Sequence, residues 1–154
     1  MEGHAPLGGV QIMALKPLKG LATAFGIFPL LLLPICLYGV IGWLYPAGIF
    51  DRIAFIMPLP SGVFINLEVG ELILLIASLC FVLEVAKSAD TGKAGIIDMA
   101  LSIVLAMVCL MTFALVPSFG TGTFAVLTAL QVSDAIGGAV VTATASRRDF
   151  AAGA

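Results

Sequence analysis

The sequence predicts an all-α polytopic membrane protein. It describes a bundle of four transmembrane helices, with a kinked first helix and a short interfacial segment between the first two. Three observations predict it. Of 154 residues, 61% are hydrophobic and 10% charged, whereas a soluble domain carries roughly 25% charged residues. The apolar residues gather into four stretches, each meeting the ~20 residues a helix needs to cross a bilayer. The basic residues then sort to one side of those stretches, which hydropathy alone does not require.

Residues 1–20 form a polar-to-mixed N-terminal tail ending in Lys16-Pro17-Leu18-Lys19. The first span is expected over residues 21–45, closed by Trp43 and Tyr45 at the level of an interfacial aromatic belt. It is too long for the apolar core of a secretory signal and is read as uncleaved. Pro29 and Pro34 lie inside it. Each removes a backbone donor, so a kink is expected.

Residues 46–62 form the longest connection, with Asp51 and Arg52 as its only charges. Its apolar middle, Ile49 through Met57, is too short to span and reads as an interfacial or re-entrant segment. The second span is expected from Ile65 to Ala86, with Asn66 as N-cap and Glu68 in the first turn, where the helix dipole favours an anion. A short polar loop, residues 87–93, leads to the third span, residues 94–116, which Pro117 stops. After a tight turn the fourth span runs from Thr123 to about Ala145. The organisation is therefore a single transmembrane domain, residues 21–145, between the N-terminal tail and a C-terminal tail, residues 146–154. No internal repeat is evident.

Under this topology Lys16, Lys19, Lys87, Lys93, Arg147 and Arg148 share one side and only Arg52 lies on the other. The positive-inside rule places both tails of this multi-pass chain in the cytoplasm.

Few residues carry chemistry. Asp134 is the sharpest feature, a carboxylate near the centre of the fourth span with Gln131 and Ser133 as local company. An acid at that depth costs roughly 2.5–3.5 kcal/mol on insertion scales. It reads either as a proton- or cation-handling group or as a packing hydrogen bond between helices. Glu68 and Glu71, three apart, share a helix face near the outer surface and form a weaker candidate cation site. Glu84 reads as the ion-pair partner of Lys87, and Asp98 as an acid placed by the dipole of the third helix. Ala135, Ala139 and Ala143, with Gly138 alongside, make a row of small residues suited to close helix packing.

Several function classes are excluded. The net charge of −2 comes without a basic tract, so no nucleic-acid partner is expected. Cys36, Cys80 and Cys109 are scattered through apolar runs and read as small hydrophobes, not as a redox pair or metal site. The single histidine, His4, cannot supply a bis-histidine haem site. No nucleophile elbow or phosphate-binding loop is present. An enzyme is not expected, and no metal or cofactor is implied.

The last third of the chain resembles a group of uncharacterised small four-helix bacterial inner-membrane proteins. The shared pattern is Val116-Pro117-Ser118-Phe119-Gly120-Thr121-Gly122-Thr123-Phe124, then Leu127-Thr128, Asp134 with Gly138, and Arg147-Arg148-Asp149. No activity is attached to that group. The resemblance implies only that Asp134 and the Arg-Arg-Asp ending matter.

The leading functional expectation is a non-enzymatic accessory or scaffold subunit, partnered by the bilayer and by other membrane subunits or further copies of itself. A proton- or cation-coupled channel using Asp134 is the alternative. Binding of a lipid or quinone between the first and fourth spans is a third.

Overall fold

The computed structural model describes residues 26–45, 48–88 and 93–152, with only the helical backbone given for Lys93 and residues 145–152. Residues 1–25 lie outside it, with Lys16, Lys19 and the start of the expected first span. The chain is mostly helical: α1 (Leu32–Leu44), α2 (Val69–Lys87), α3 (Lys93–Leu115) and α4 (Gly122–Ala152). Among the described residues, three helices are long and apolar enough to cross a membrane, over Val69–Lys87, Ala94–Leu115 and Gly122–Thr144. The 13 residues of α1 rise only about 20 Å.

The bundle is built around α4, which packs against α3, α2 and α1. Its inward face reads Phe124, Leu127, Thr128, Gln131, Asp134 and Ala135, the 3.6-residue period of one helix face. The facing stripe of α3 is Asp98, Ser102, Ala106 and Cys109, and that of α2 is Gly70, Ile73, Ala77 and Glu84. The apolar core is formed by Leu31, at the break before α1, with Tyr38, Phe50, Ile73, Ala77, Cys109, Phe124 and Leu127. The outer faces are also apolar: Leu79, Val82, Val104, Met107, Met111, Ile136 and Val140 are all exposed. A water-soluble fold does not present such a belt; one dissolved in hydrocarbon does.

The expected kink resolves differently at its two prolines. Pro34 falls in the first turn of α1, after Leu31 as N-cap, where its missing N–H has no intrahelical acceptor in any case. Pro29 lies in a non-helical break, residues 28–31, that follows helical residues 26 and 27.

The interfacial segment opens with a 3₁₀ turn, Ile49–Asp51, and then becomes extended, so a small sheet joins the expected helices and the fold is mostly but not wholly helical. Strands β1 (Ile53–Pro58) and β2 (Phe64–Glu68) pair antiparallel as a hairpin. The residues of β1 are β-branched or aromatic at Ile53, Phe55 and Ile56, and such side chains favour an extended backbone. Leu59-Pro60-Ser61-Gly62 makes the turn, with Gly62 N–H donating to the Leu59 carbonyl at 2.9 Å. Gly62 has φ +81°, a left-handed conformation that glycine adopts without steric cost. The second helix therefore starts at Val69, not Ile65. Asn66 is a strand residue, and Glu68 is the true N-cap.

Where the hairpin returns, Val69 N–H donates to the Arg52 carbonyl at 2.9 Å. Next to it Gly70 permits an unusually close approach: a Cβ there would sit 2.5 Å from Thr123 Oγ1 and 3.2 Å from the Phe50 carbonyl.

Candidate functional site

Two constellations stand out, one at each end of the bundle. The first gathers where α2 ends and α3 begins. Lys87 Nζ lies 2.7 Å from Glu84 Oε2 and 2.8 Å from Asp98 Oδ1, and donates to the Phe28 carbonyl at 2.7 Å. An ammonium has three donors, and all three are used. The Glu84 carboxylate also accepts the Leu30 N–H. Two backbone groups bared by the break at residues 28–31 thus find buried side-chain partners on α2. That is the requirement for non-helical backbone away from water.

Glu84 is 1% exposed, so its side of the pair is buried within the protein. Asp98 is drawn to Lys87 and does not answer the dipole of its own helix, as sequence position alone had implied. Its pairing follows from the short connection, which returns α3 antiparallel beside α2.

Asp134 lies on the α4 face turned toward this cluster. It is 9% exposed, receives a side-chain hydrogen bond from Ser102, and feels the charges of Asp98 and Lys87. Gln131 is fully buried one turn away, and its Nε2 donates to the Ser102 carbonyl at 3.2 Å. Its Oε1 has no hydrogen-bond partner among the described residues. Ser102 therefore joins α3 to α4 twice, through its hydroxyl and its carbonyl. A polar cavity of about 20 Å³ adjoins Asp134, lined by Ser88, Asp98, Met99, Ser102 and Thr142 among others. A water needs ~10–15 Å³ of such volume, so the cavity is on the scale of one water.

The other predicted site residues divide. Ser133 is exposed and its hydroxyl donates to the Ala129 carbonyl on its own helix, so it does not accompany Asp134. Glu68 and Glu71 form a capping box: Glu68 N–H donates to Glu71 Oε2 at 3.0 Å while the Glu68 side chain accepts in return. Each carboxylate is thereby tied to the helix end. Of the small residues, Ala135 is buried and Gly138 faces Met99, Ala139 is half-buried, and Ala143 is exposed. The packing row therefore stops before Ala143, because a strict four-residue spacing drifts around a 3.6-residue helix.

The second constellation was not anticipated. At the opposite end, Tyr38 stacks on Phe50 with ring centroids 4.0 Å apart and an interplanar angle of 7°. Phe119 and Phe124 pack on its other sides. The Tyr38 hydroxyl lies 2.7 Å from Thr121 Oγ1, which also accepts the Phe124 N–H at 3.2 Å and so caps α4. Beside this cluster opens a cavity of about 720 Å³ between α1, the 3₁₀ turn Ile49–Asp51 and the 3₁₀ turn Pro117–Phe119. Gly39 and Gly42 give α1 a face without side chains there. That spacing of three was visible in the sequence. The partners that make it a wall come from segments about 10 and 80 residues away, beyond the reach of any local pattern.

Neither a family model, nor a curated protein, nor a solved structure matches this chain.

Proposed function

We propose that the protein is a four-span protein of the bacterial inner membrane, with both termini cytoplasmic, acting as a non-enzymatic accessory or scaffold subunit. The first span would run through the break at residues 28–31 into α1. The six-to-one sorting of Lys and Arg supports the orientation. The resemblance of the last third to small inner-membrane proteins supports the compartment.

The observation that carries the scaffold reading is the hairpin. Phe55, Met57, Ile65 and Leu67 project from one face; Ile56, Pro58 and Phe64 project from the other. Every residue of β1 is exposed. Such a ribbon suits neither solvent. In water its apolar faces are uncovered, and burying each large side chain is worth about 1.5–3 kcal/mol. In lipid its two unpaired edges leave backbone groups unsatisfied. A strand from another membrane subunit answers both, pairing with an edge and covering a face. The cluster around Asp134 fits a packing role in the same picture, since Ser102 closes it between α3 and α4.

Native electrophoresis of the protein in mild detergent tests this. The parent should migrate as an assembly with a second protein, and an Ile56→Asp/Phe64→Asp variant should fall to the monomer. A parent that runs as a clean monomer overturns the proposal. A mass that is a multiple of this chain alone replaces the accessory role with self-association.

A second reading is a proton- or cation-coupled channel using Asp134. It draws on the polar cavity that Asp98 and Asp134 flank, with Lys87 as the nearby cation. Proton flux into liposomes, lost on Asp134→Asn, supports it; no flux in the parent sinks it.

A further inference from the structure

We infer that the 720 Å³ cavity beside Tyr38 binds a neutral ring-bearing lipid with a carbonyl acceptor, of the quinone class. The inference stands apart from the scaffold reading and uses none of its residues.

The cavity has the dimensions of a small-molecule site, for which about 300–1,000 Å³ is usual. Among the described residues its lining contains no Asp, Glu, Lys or Arg, and the nearest charge felt at Tyr38 is that of Asp51, just outside it. An anionic headgroup would find no cation in that wall and would face Asp51, and a cationic one would find no carboxylate in the lining, so the ligand is uncharged. Its walls are the rings of Tyr38, Phe50 and Phe119 and the bare face of α1 at Gly39 and Gly42. Flat apolar walls accept a planar ring by stacking or edge contact.

The polar groups of the lining are donors, and two of them are paired. Tyr38 and Thr121 both line the cavity and share one hydrogen bond of 2.7 Å. The pair carries two hydroxyl hydrogens, and the shared bond uses one. Thr121 Oγ1 already accepts from Phe124 N–H, so the second hydrogen is left to donate outward. A ring carbonyl is an acceptor that cannot itself donate, and it matches that hydrogen, with the Ser118 hydroxyl and the Trp43 indole N–H as further donors in the lining. Trp43 stands at the rim, 85% exposed, on the outward side of α1. There an alkyl or isoprenoid tail can leave for the apolar surroundings.

Trp43 is the only tryptophan in the chain and provides the readout. The detergent-solubilised full-length protein is titrated with a decyl-substituted benzoquinone while Trp43 emission is followed. The expected result is saturable quenching at one quinone per chain.

Gly39→Leu fills the cavity while favouring helix, since a Cβ at Gly39 meets nothing nearer than Phe119 Cζ at 4.0 Å. This variant should show only the linear, collisional quenching of a ring dissolved in the micelle. Tyr38→Phe combined with Thr121→Val keeps the ring and the β-branched shape, removes both hydroxyls of the pair, and should weaken binding about fivefold, the loss expected for one hydrogen bond. Decylbenzene, with the same tail and no carbonyl, should compete poorly. Linear quenching in the parent overturns the site. Saturation unchanged in Gly39→Leu does so too. Equal competition by decylbenzene, or an unchanged affinity in the Tyr38→Phe/Thr121→Val variant, overturns the carbonyl class. The last two comparisons do not depend on Gly39→Leu folding.

Discussion

Single residues decide how tightly this bundle closes, and Gly70 is the clearest case. It lets the start of α2 pass against Thr123 and the Phe50 carbonyl. Gly70→Ala should lower stability by about 1–3 kcal/mol, the usual cost of overpacking, read as a fall in melting temperature in detergent. Thr123→Ala removes the 2.5 Å obstacle, so the double variant should recover part of that loss; strict additivity would contradict the contact.

Lys87 is a second case. Its one ammonium pairs with both Glu84 and Asp98, whose side chains are 1% and 11% exposed. Lys87→Met leaves buried carboxylates uncompensated and should cost about 3–5 kcal/mol, measured by denaturant unfolding of the solubilised protein. At Asp134, the packing role predicts that Asp134→Asn, which can still accept from Ser102, changes stability by less than about 1 kcal/mol. Asp134 was legible in the sequence as a lone intramembrane acid. Its company was not, because Ser102, Asp98 and Lys87 reach it only through the antiparallel return of α3. Gln131 proved a real neighbour and Ser133 did not, since one residue is about 100° of helix rotation.

Among elements, the long apolar helices were legible and the hairpin was not. Apolar runs of more than 20 residues admit little besides helix in a membrane, so α2, α3 and α4 follow from hydropathy. Residues 53–68 form two short apolar runs, whose type periodicity alone does not fix. The informative features were the β-branched and aromatic residues and the Pro60-Ser61-Gly62 turn. Reading them required giving turn chemistry more weight than the expectation of helix. The acidic pair Glu68 and Glu71 was misread for the same reason: with the helix beginning at Val69 they become its cap. The hairpin depends on the φ of +81° at Gly62. Gly62→Val should open it at a cost of roughly 1–2 kcal/mol, seen as faster proteolysis between Ile53 and Glu68 with helical circular dichroism unchanged. Equal protease resistance would contradict the turn assignment.

At the scale of the whole molecule, the two ends differ in kind. One holds the charged joint of Glu84, Lys87 and Asp98 beneath the break at residues 28–31. The other holds the aromatic cluster, the large cavity and the projecting hairpin. The proposed topology puts the charged joint toward the cytoplasm and the hairpin outside. In a cysteine-free background, Ser61→Cys should react with an impermeant maleimide from outside the cell, and Ser88→Cys only after permeabilisation. The reverse pattern would invert the protein. On this proposed topology the hairpin is covered, outside, by another membrane protein. The most direct test of that contact is a photo-crosslinking residue placed in intact membranes at Phe64, on the hairpin, and at Leu79, exposed on the flank of α2. A discrete protein adduct is expected from Phe64 and none from Leu79. Lipid adducts alone from both positions would contradict it.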